Sequence, residues 1–171
     1  MMAHVIRATT PADGEQLRAI ERAAGERFRE AGLPDIADDE PPSTEVLAAY
    51  ATAGRSWVAE DPEGRVIGYV IVAVVDGNAH IEQVTVDPGH QGLGVGRALV
   101  DQVRAWATDT GRPAVTLTTF RDISWNAPLY RHLGFSDLAD DELGPELRAV
   151  RDAEAAHGLD PTTRVCMRMD L

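Results

Sequence analysis

The sequence predicts an α+β fold with a mixed sheet, and three observations carry that reading. Val66 to Val75 is a long β-branched run, and Asp76-Gly77-Asn78 turns it back into another strand. The strand ending at Val86 passes through glycine-bearing backbone straight into an amphipathic helix. Strand and helix signals interleave over all 171 residues, with no internal repeat and no low-complexity linker. Residues 1–171 therefore read as one domain, long enough to bury a core.

Val5 to Ala8 is a short strand. Pro11 and Ala12 open a helix to about Glu30, with Leu17, Ile20, Ala24 and Phe28 near helical spacing. Gly32 to Pro42 is an acidic, proline-bearing loop. Ser43 caps a second helix to about Ala53, and Glu45 falls one residue short of a full capping box. Ser56 to Glu60 is a strand, and Asp61-Pro62-Glu63-Gly64 is a hairpin turn into Val66 to Val75. Ala79 to Val86 is the next strand. The helix after it sets Val95, Ala98, Leu99, Val103 and Trp106 on one face and ends at Gly111-Arg112-Pro113. Ala114 to Phe120 is a strand, and Asn126 to Leu133 is a short helix stopped by Gly134. Gly144-Pro145 starts another helix to about His157, and Thr163 to Met169 is a closing strand. The order is β-α-α-β-β-β-α-β-α-(α)-β.

Composition narrows the function. Hydrophobic residues make up 44% and charged residues 26%, the profile of a folded globular protein. The net charge of -12 argues against nucleic acid and anionic membrane as partners and favours a cationic substrate. The one cysteine, Cys166, excludes a disulfide framework and a cysteine-rich metal site, and it reads as a small buried hydrophobe. All 16 basic residues are Arg, as a GC-rich genome produces, so no lysine amine is present as a Schiff-base nucleophile. The N-terminus carries no signal-peptide pattern and no apolar run approaches bilayer length, so a cytoplasmic location is expected.

Gln91-Gly92-Leu93-Gly94-Val95-Gly96-Arg97 raises the chemical question. The first amides of a helix lack intrahelical acceptors, and the aligned peptide dipoles leave partial positive charge there. Glycines remove Cβ atoms, so a pyrophosphate can approach the N–H groups closely. Gln91 and Arg97 add side-chain donors. The Walker pattern is excluded because it needs Gly-Lys-Ser/Thr. The Rossmann fingerprint is excluded because these glycines follow a late strand without the long βαβ frame. A plain glycine turn capping a helix is the remaining alternative.

Val84-Thr85-Val86-Asp87-Pro88, then Gln91-x-x-Gly94-x-Gly96, then Arg97-Ala98-Leu99, resembles the acetyl-CoA-binding motif of the GNAT N-acetyltransferases. Asn126-Ala127-Pro128-Leu129-Tyr130-Arg131-His132-Leu133-Gly134-Phe135 is similar to the second signature of that family. The two motifs cover about Ile81 to Phe135; the flanking chain matches in element order alone. The resemblance implies a small bacterial-type enzyme with a mostly antiparallel, twisted sheet flanked by helices. It also implies acetyl-CoA as acyl donor, no metal, and direct attack by an amine within a ternary complex.

The same resemblance assigns roles. The strand carrying Val84, Thr85 and Val86 splays from its neighbour and pairs with the pantetheine arm. The amides of Gln91, Gly92, Leu93, Gly94, Val95, Gly96 and Arg97 hold the pyrophosphate. Asn126 bonds the pantetheine, although Asn also suits a helix N-cap. Tyr130 protonates the departing thiolate, or is an ordinary aromatic of an amphipathic helix. An alkylammonium must lose a proton before it attacks, which calls for a base. Glu82 is the candidate, since alternation puts it on one face with Val84 and Val86; a solvated strand residue is the alternative. His80 shares that face and is the weaker candidate.

In this fold the first helix pair walls the acceptor site. Glu21, Glu26, Phe28, Glu30 and the acids of Asp35 to Glu40 offer carboxylates beside an aromatic, which suit a cationic amine. Trp125 lines the acceptor pocket or packs in the core. The acceptor is then a small-molecule or peptide amine. Leu143 to Asp160 is an added helical stretch that shapes specificity or a dimer contact, so both a monomer and a homodimer fit. Two other classes fit the same motifs: a non-catalytic acyl-CoA sensor, and an acyltransferase with a different acyl donor or a protein acceptor.

Overall fold

The structure is a computed structural model and describes residues 3–171. The strands are β1 (Val5–Ala8), β2 (Ser56–Glu60), β3 (Val66–Val75), β4 (Asn78–Val86), β5 (Ala114–Phe120), β6 (Ser136–Leu138) and β7 (Arg164–Asp170). The helices are α1 (Gly14–Gly25), α2 (Arg27–Glu30), α3 (Pro34–Ala37), α4 (Thr44–Thr52), α5 (Val95–Asp109), α6 (Ala127–His132) and α7 (Pro145–Ala156). The seven strands form a sheet in the order β1-β2-β3-β4-β5-β7-β6. The pairs β1–β2, β2–β3, β5–β7 and β6–β7 are antiparallel, and β4–β5 is parallel. The sheet is thus mixed, mostly antiparallel and flanked by helices.

Three details depart from the sequence reading. The stretch from Gly32 to Pro42, expected as a loop, holds the short helix α3, opened by Pro34 at its first turn. The expected helix from Pro11 to Glu30 is a 3-10 turn at Pro11–Asp13 followed by α1 and α2, with the break at Glu26. A further strand, β6, lies between α6 and α7, pairing Ser136, Asp137 and Leu138 with Arg168, Met167 and Cys166. Three residues are too few to show alternation, so this strand exists through its partner and not through its own pattern.

The chain forms two compact units. The first holds the chain up to Val72 together with Gln83–Gln102. Its core is Leu17, Ile20, Leu47, Val58, Val66, Tyr69 and Ile71, with Tyr50 packed against it. Leu17, Ile20 and Ala24 are the buried stripe expected of α1. Ser43 Oγ accepts from Val46 N and caps α4. Helix α5 approaches β3 at Gly68, where a Cβ would stand 3.0 Å from Thr85 O and 3.3 Å from both Val95 Cγ1 and Leu99 Cδ1. A side chain there would force helix and strand apart, which is why this strand interior carries glycine.

The second unit holds Ala73–Glu82 and Val103–Leu171. Strand β7 pairs with β5 along its whole length, from Ala114 opposite Asp170 to Phe120 opposite Arg164. Val75, Leu147 and the buried Cys166 form its core cluster with Ala73, Leu138, Leu143 and Val150. Asp76, at φ 52°, holds the start of α7. Its carboxylate accepts from Glu146 N at 2.9 Å and Leu147 N at 3.0 Å, and Glu146 Oε1 accepts from Asp76 N at 3.1 Å. This side-chain cap, reached from the β3–β4 turn, satisfies amides that the helix itself leaves open.

Among the described residues no helix is long and apolar enough to cross a membrane.

Candidate active site

In the first unit the glycine turn stands between β4 and α5. Asp87 N donates to Ile67 O at 2.8 Å, and the Asp87 carboxylate sits 2.8 Å from His90 Nδ1. Gln91 Nε2 donates to Val86 O at 3.3 Å, so the side chain expected to reach a ligand is folded back on the turn. Gly92 and Gly94 have φ of 78° and 82°, a conformation that side-chain-bearing residues rarely adopt. Gly96 is different. It is helical, and a Cβ there would meet only Val86 Cγ2, at the ordinary distance of 3.7 Å. The protein itself gives no reason for glycine at this place, where alanine favours a helix by up to about 1 kcal/mol.

The first helical hydrogen bond of α5 runs from Ala98 N to Gly94 O at 3.0 Å. The amides of Val95, Gly96 and Arg97 therefore precede the ladder and point out of the helix end. The Arg97 side chain is exposed beside them. Of the β4 residues assigned to the donor, Val84 and Val86 are half-buried and Thr85 is buried. The Thr85 hydroxyl donates to Glu21 Oε2 at 2.6 Å.

Glu21, one of the acids expected beside the acceptor, is the one that the structure ties to the sheet. Its carboxylate also accepts from the Tyr69 hydroxyl at 2.7 Å and from Gln83 Nε2 at 2.9 Å. Burial raises its carboxyl above the ordinary value, against the pull of the Thr85 and Tyr69 hydrogen bonds. Positions 17, 20, 21 and 24 fall on one helical stripe, and Glu21 is the charged member of it.

Three other acids of this region carry arginines. Glu26 is exposed and lies 3.2 Å from Arg29, which also pairs with Asp38. Glu40 lies 3.2 Å from Arg18 and 3.3 Å from Arg22. Asp38 and Glu40 of the acidic loop are neutralised in place, so the expectation that they and Glu26 meet a cation must contend with cations already there. Phe28 is half-buried.

The second unit holds the other motif. Ile81 faces Leu117 in the parallel β4–β5 ladder, which covers Ala79, His80 and Ile81 of β4 and extends no further. His80 is fully buried, with Nδ1 2.9 Å from Thr116 Oγ1, and burial lowers its pKa to about 4. It is a neutral core histidine, not a base on the open face, and alternation alone did not show this. Glu82 is exposed, and its carboxyl is raised by partial desolvation and then by repulsion from Glu154.

Asn126 occupies the N-cap position of α6, but its side chain makes no cap bond. Instead Nδ2 donates to Trp125 O at 3.1 Å, and the buried Oδ1 has no partner. Trp125 is half-buried. The Tyr130 ring meets Phe135 edge-on, with centroids 5.9 Å apart and planes at 77°. Desolvation pushes the Tyr130 phenol up to about 12, so it stays protonated at neutral pH and is a hydrogen-bond donor.

Comparison with known proteins agrees with this arrangement. A family model described as the acetyltransferase (GNAT) family matches residues 17–135. A mycothiol acetyltransferase from Arthrobacter sp. (strain FB24) is 35% identical over 96 residues, which are 52% of this chain and 30% of that protein. The match thus spans under a third of that relative's length. An acetyltransferase of the GNAT family from Staphylococcus aureus Mu50 is similar in structure, with a TM-score of 0.73 at 16% identity over 99% of each chain. PaiA N-acetyltransferase from Thermoplasma acidophilum, solved in complex with coenzyme A, gives a TM-score of 0.71 at 15% identity, covering 99% of this chain and 100% of that one. Those likenesses concern the fold; the family model, which covers well over half of the sequence and both motifs, shows that the chain belongs to the GNAT acetyltransferase family.

Proposed function

We propose that this chain transfers an acetyl group from acetyl-CoA to a primary amine by direct attack in a ternary complex. The observation that carries the reading is Gly96, a helical glycine that the fold does not require, at the open amide end of α5. A missing side chain there leaves room for something outside the protein, and a pyrophosphate fits amides that bear partial positive charge. The PaiA structure in complex with coenzyme A supports the same ligand class.

Acetyl-CoA supplies an activated acyl group as a thioester. The backbone amides from Gln91 to Arg97 bind its pyrophosphate. The β4 backbone at Val84, Thr85 and Val86 offers strand-like hydrogen bonds to the pantetheine arm. Asn126 Oδ1 is a buried acceptor without a donor, a costly arrangement that a pantetheine amide N–H would relieve.

Tyr130 gives its phenolic proton to the sulfur as the C–S bond breaks. A protonated phenol in an apolar setting suits that step, because the proton leaves toward a developing thiolate. Glu82 accepts the proton that the amine sheds, directly or through water. Its raised carboxyl brings it nearer to the operating pH of a general base. Cys166 is buried and forms no acyl-enzyme. The reading places the activity in the cytoplasm. Trp125 and Phe28 contribute apolar surface to the acceptor.

The test is release of free CoA from acetyl-, propionyl- and succinyl-CoA with a panel of primary amines. Release from acetyl-CoA that depends on both amine and Tyr130 supports the reading. Binding of acetyl-CoA without release under any amine would make the chain a sensor. Preference for another donor would change the acyl group.

A further inference from the structure

Glu21 is a carboxylate without a counter-charge. Oε2 accepts from the Tyr69 and Thr85 hydroxyls at 2.7 and 2.6 Å, and Oε1 accepts from Gln83 Nε2 at 2.9 Å. All three partners donate. An ionised carboxylate can accept from all three at once. All three partners are also neutral, and no cation acts to lower its carboxyl.

Two other partly buried acids of this chain carry an arginine. Asp13 lies 2.9 Å from Arg7, and Glu154 lies 2.8 Å from Arg164. A desolvated charge left uncompensated is costly, and such perturbed groups cluster at functional sites. Oε2 is saturated by two hydroxyls, while Oε1 holds one donor and keeps a lone pair. One open lone pair matches a compact ammonium better than the two-pronged fork of a guanidinium.

We infer that Glu21, held by Tyr69, Thr85 and Gln83, is the binding site for a primary ammonium group. On the acyl-transfer reading, on which this identification of the ligand rests, that group belongs to the acceptor amine, either the reacting nitrogen or a second cationic group of the same molecule. Glu21 is then a specificity determinant, and the arginine-paired Glu26, Asp38 and Glu40 are not.

The experiment is calorimetric titration of the full chain, with and without acetyl-CoA, against n-butylamine, spermidine and methylguanidine. Tetramethylammonium chloride holds the ionic strength, and each titration is repeated on Glu21→Gln. The expected result is binding of at least one primary amine to the wild type, with methylguanidine weaker. Glu21→Gln should weaken the primary amine by about tenfold or more, the loss of one charge-assisted contact, and leave acetyl-CoA affinity within about twofold. Absence of binding by both primary amines to the wild type overturns the proposal. So does an amine affinity in Glu21→Gln within about twofold of wild type. Parallel loss of acetyl-CoA affinity in that variant also overturns it, because it marks Glu21 as a structural tie. If Glu21→Gln does not fold, carboxyl-carbon NMR of glutamate-labelled wild type decides. The Glu21 signal should move as n-butylamine is added, and a stationary signal overturns the proposal. Failure of acetyl-CoA to bind the wild type would instead count against acyl transfer and leave the Glu21 result standing.

Discussion

The fully buried Tyr69 places its hydroxyl 2.7 Å from Glu21 Oε2, so a strand of the core reaches through its aromatic ring to hold a carboxylate on α1. Removing that hydroxyl leaves the packing intact and the charge less satisfied. Tyr69→Phe should cost about 1.5–3 kcal/mol in urea unfolding, the usual worth of a hydrogen bond to a charged group. It should also raise the Glu21 carboxyl further, since this bond lowers it. The sign for stability follows by linkage. The native state holds the Glu21 proton to higher pH than the unfolded chain does, so this residue costs stability as pH rises through that window. Glu21→Gln should therefore gain stability relative to wild type near neutral pH, and the gain should vanish below the ordinary carboxylate value of 4.5.

Gly96→Ala separates stability from ligand binding. The Cβ meets only Val86 Cγ2 at 3.7 Å, so the folded chain accommodates it. Thermal unfolding should show a gain of up to about 1 kcal/mol from helix propensity. Acetyl-CoA affinity should fall by about tenfold or more, because the methyl group stands where the pyrophosphate approaches. A stabilised variant with undiminished affinity would remove Gly96 from the cradle.

Tyr130→Phe keeps the ring and its edge-on contact with Phe135 and removes the proton. Single-turnover acetyl transfer should slow by about 10²–10⁴, the range of a general acid. Acetyl-CoA affinity measured by calorimetry should stay within about twofold. Equal loss of both quantities would assign Tyr130 to binding.

A base must be deprotonated to act, so the acid limb of the kcat/KM profile should rise with pH through the Glu82 titration. Partial desolvation and Glu154 set that titration above the ordinary carboxylate value. Glu82→Gln should lower the plateau by about 10² or more and abolish the limb. A limb that survives the substitution would move the base to another group or to water.

Much of this was legible in local pattern. Ser56–Glu60, Val66–Val75 and Ala114–Phe120 are strands with the expected bounds, since β-branched runs flanked by turn residues act at short range. The glycine turn and its helix were equally plain, because positive φ and an open helix end are backbone properties. What escaped depends on partners far along the chain. β6 exists because β7 pairs with it. His80 is neutral because Thr116 and the core enclose it. Asn126 suited a cap by type, yet its side chain turns to Trp125 O and leaves Oδ1 unpaired. Glu21 and Glu26 look alike in a charge count; Arg29, three residues on, pairs with Glu26 locally, and only the tertiary structure gives Glu21 its three neutral donors.

Whether the open end of α5 receives the pyrophosphate of acetyl-CoA is read from the melting temperature of the wild type and of Gly94→Trp with and without acetyl-CoA, since a ligand that binds only the folded state raises stability by mass action. If it does, the wild type should show a clear rise and folded Gly94→Trp none, because its indole would occupy space that is open around Gly94. No rise in the wild type at saturating acetyl-CoA, or an equal rise in the tryptophan variant, would contradict it.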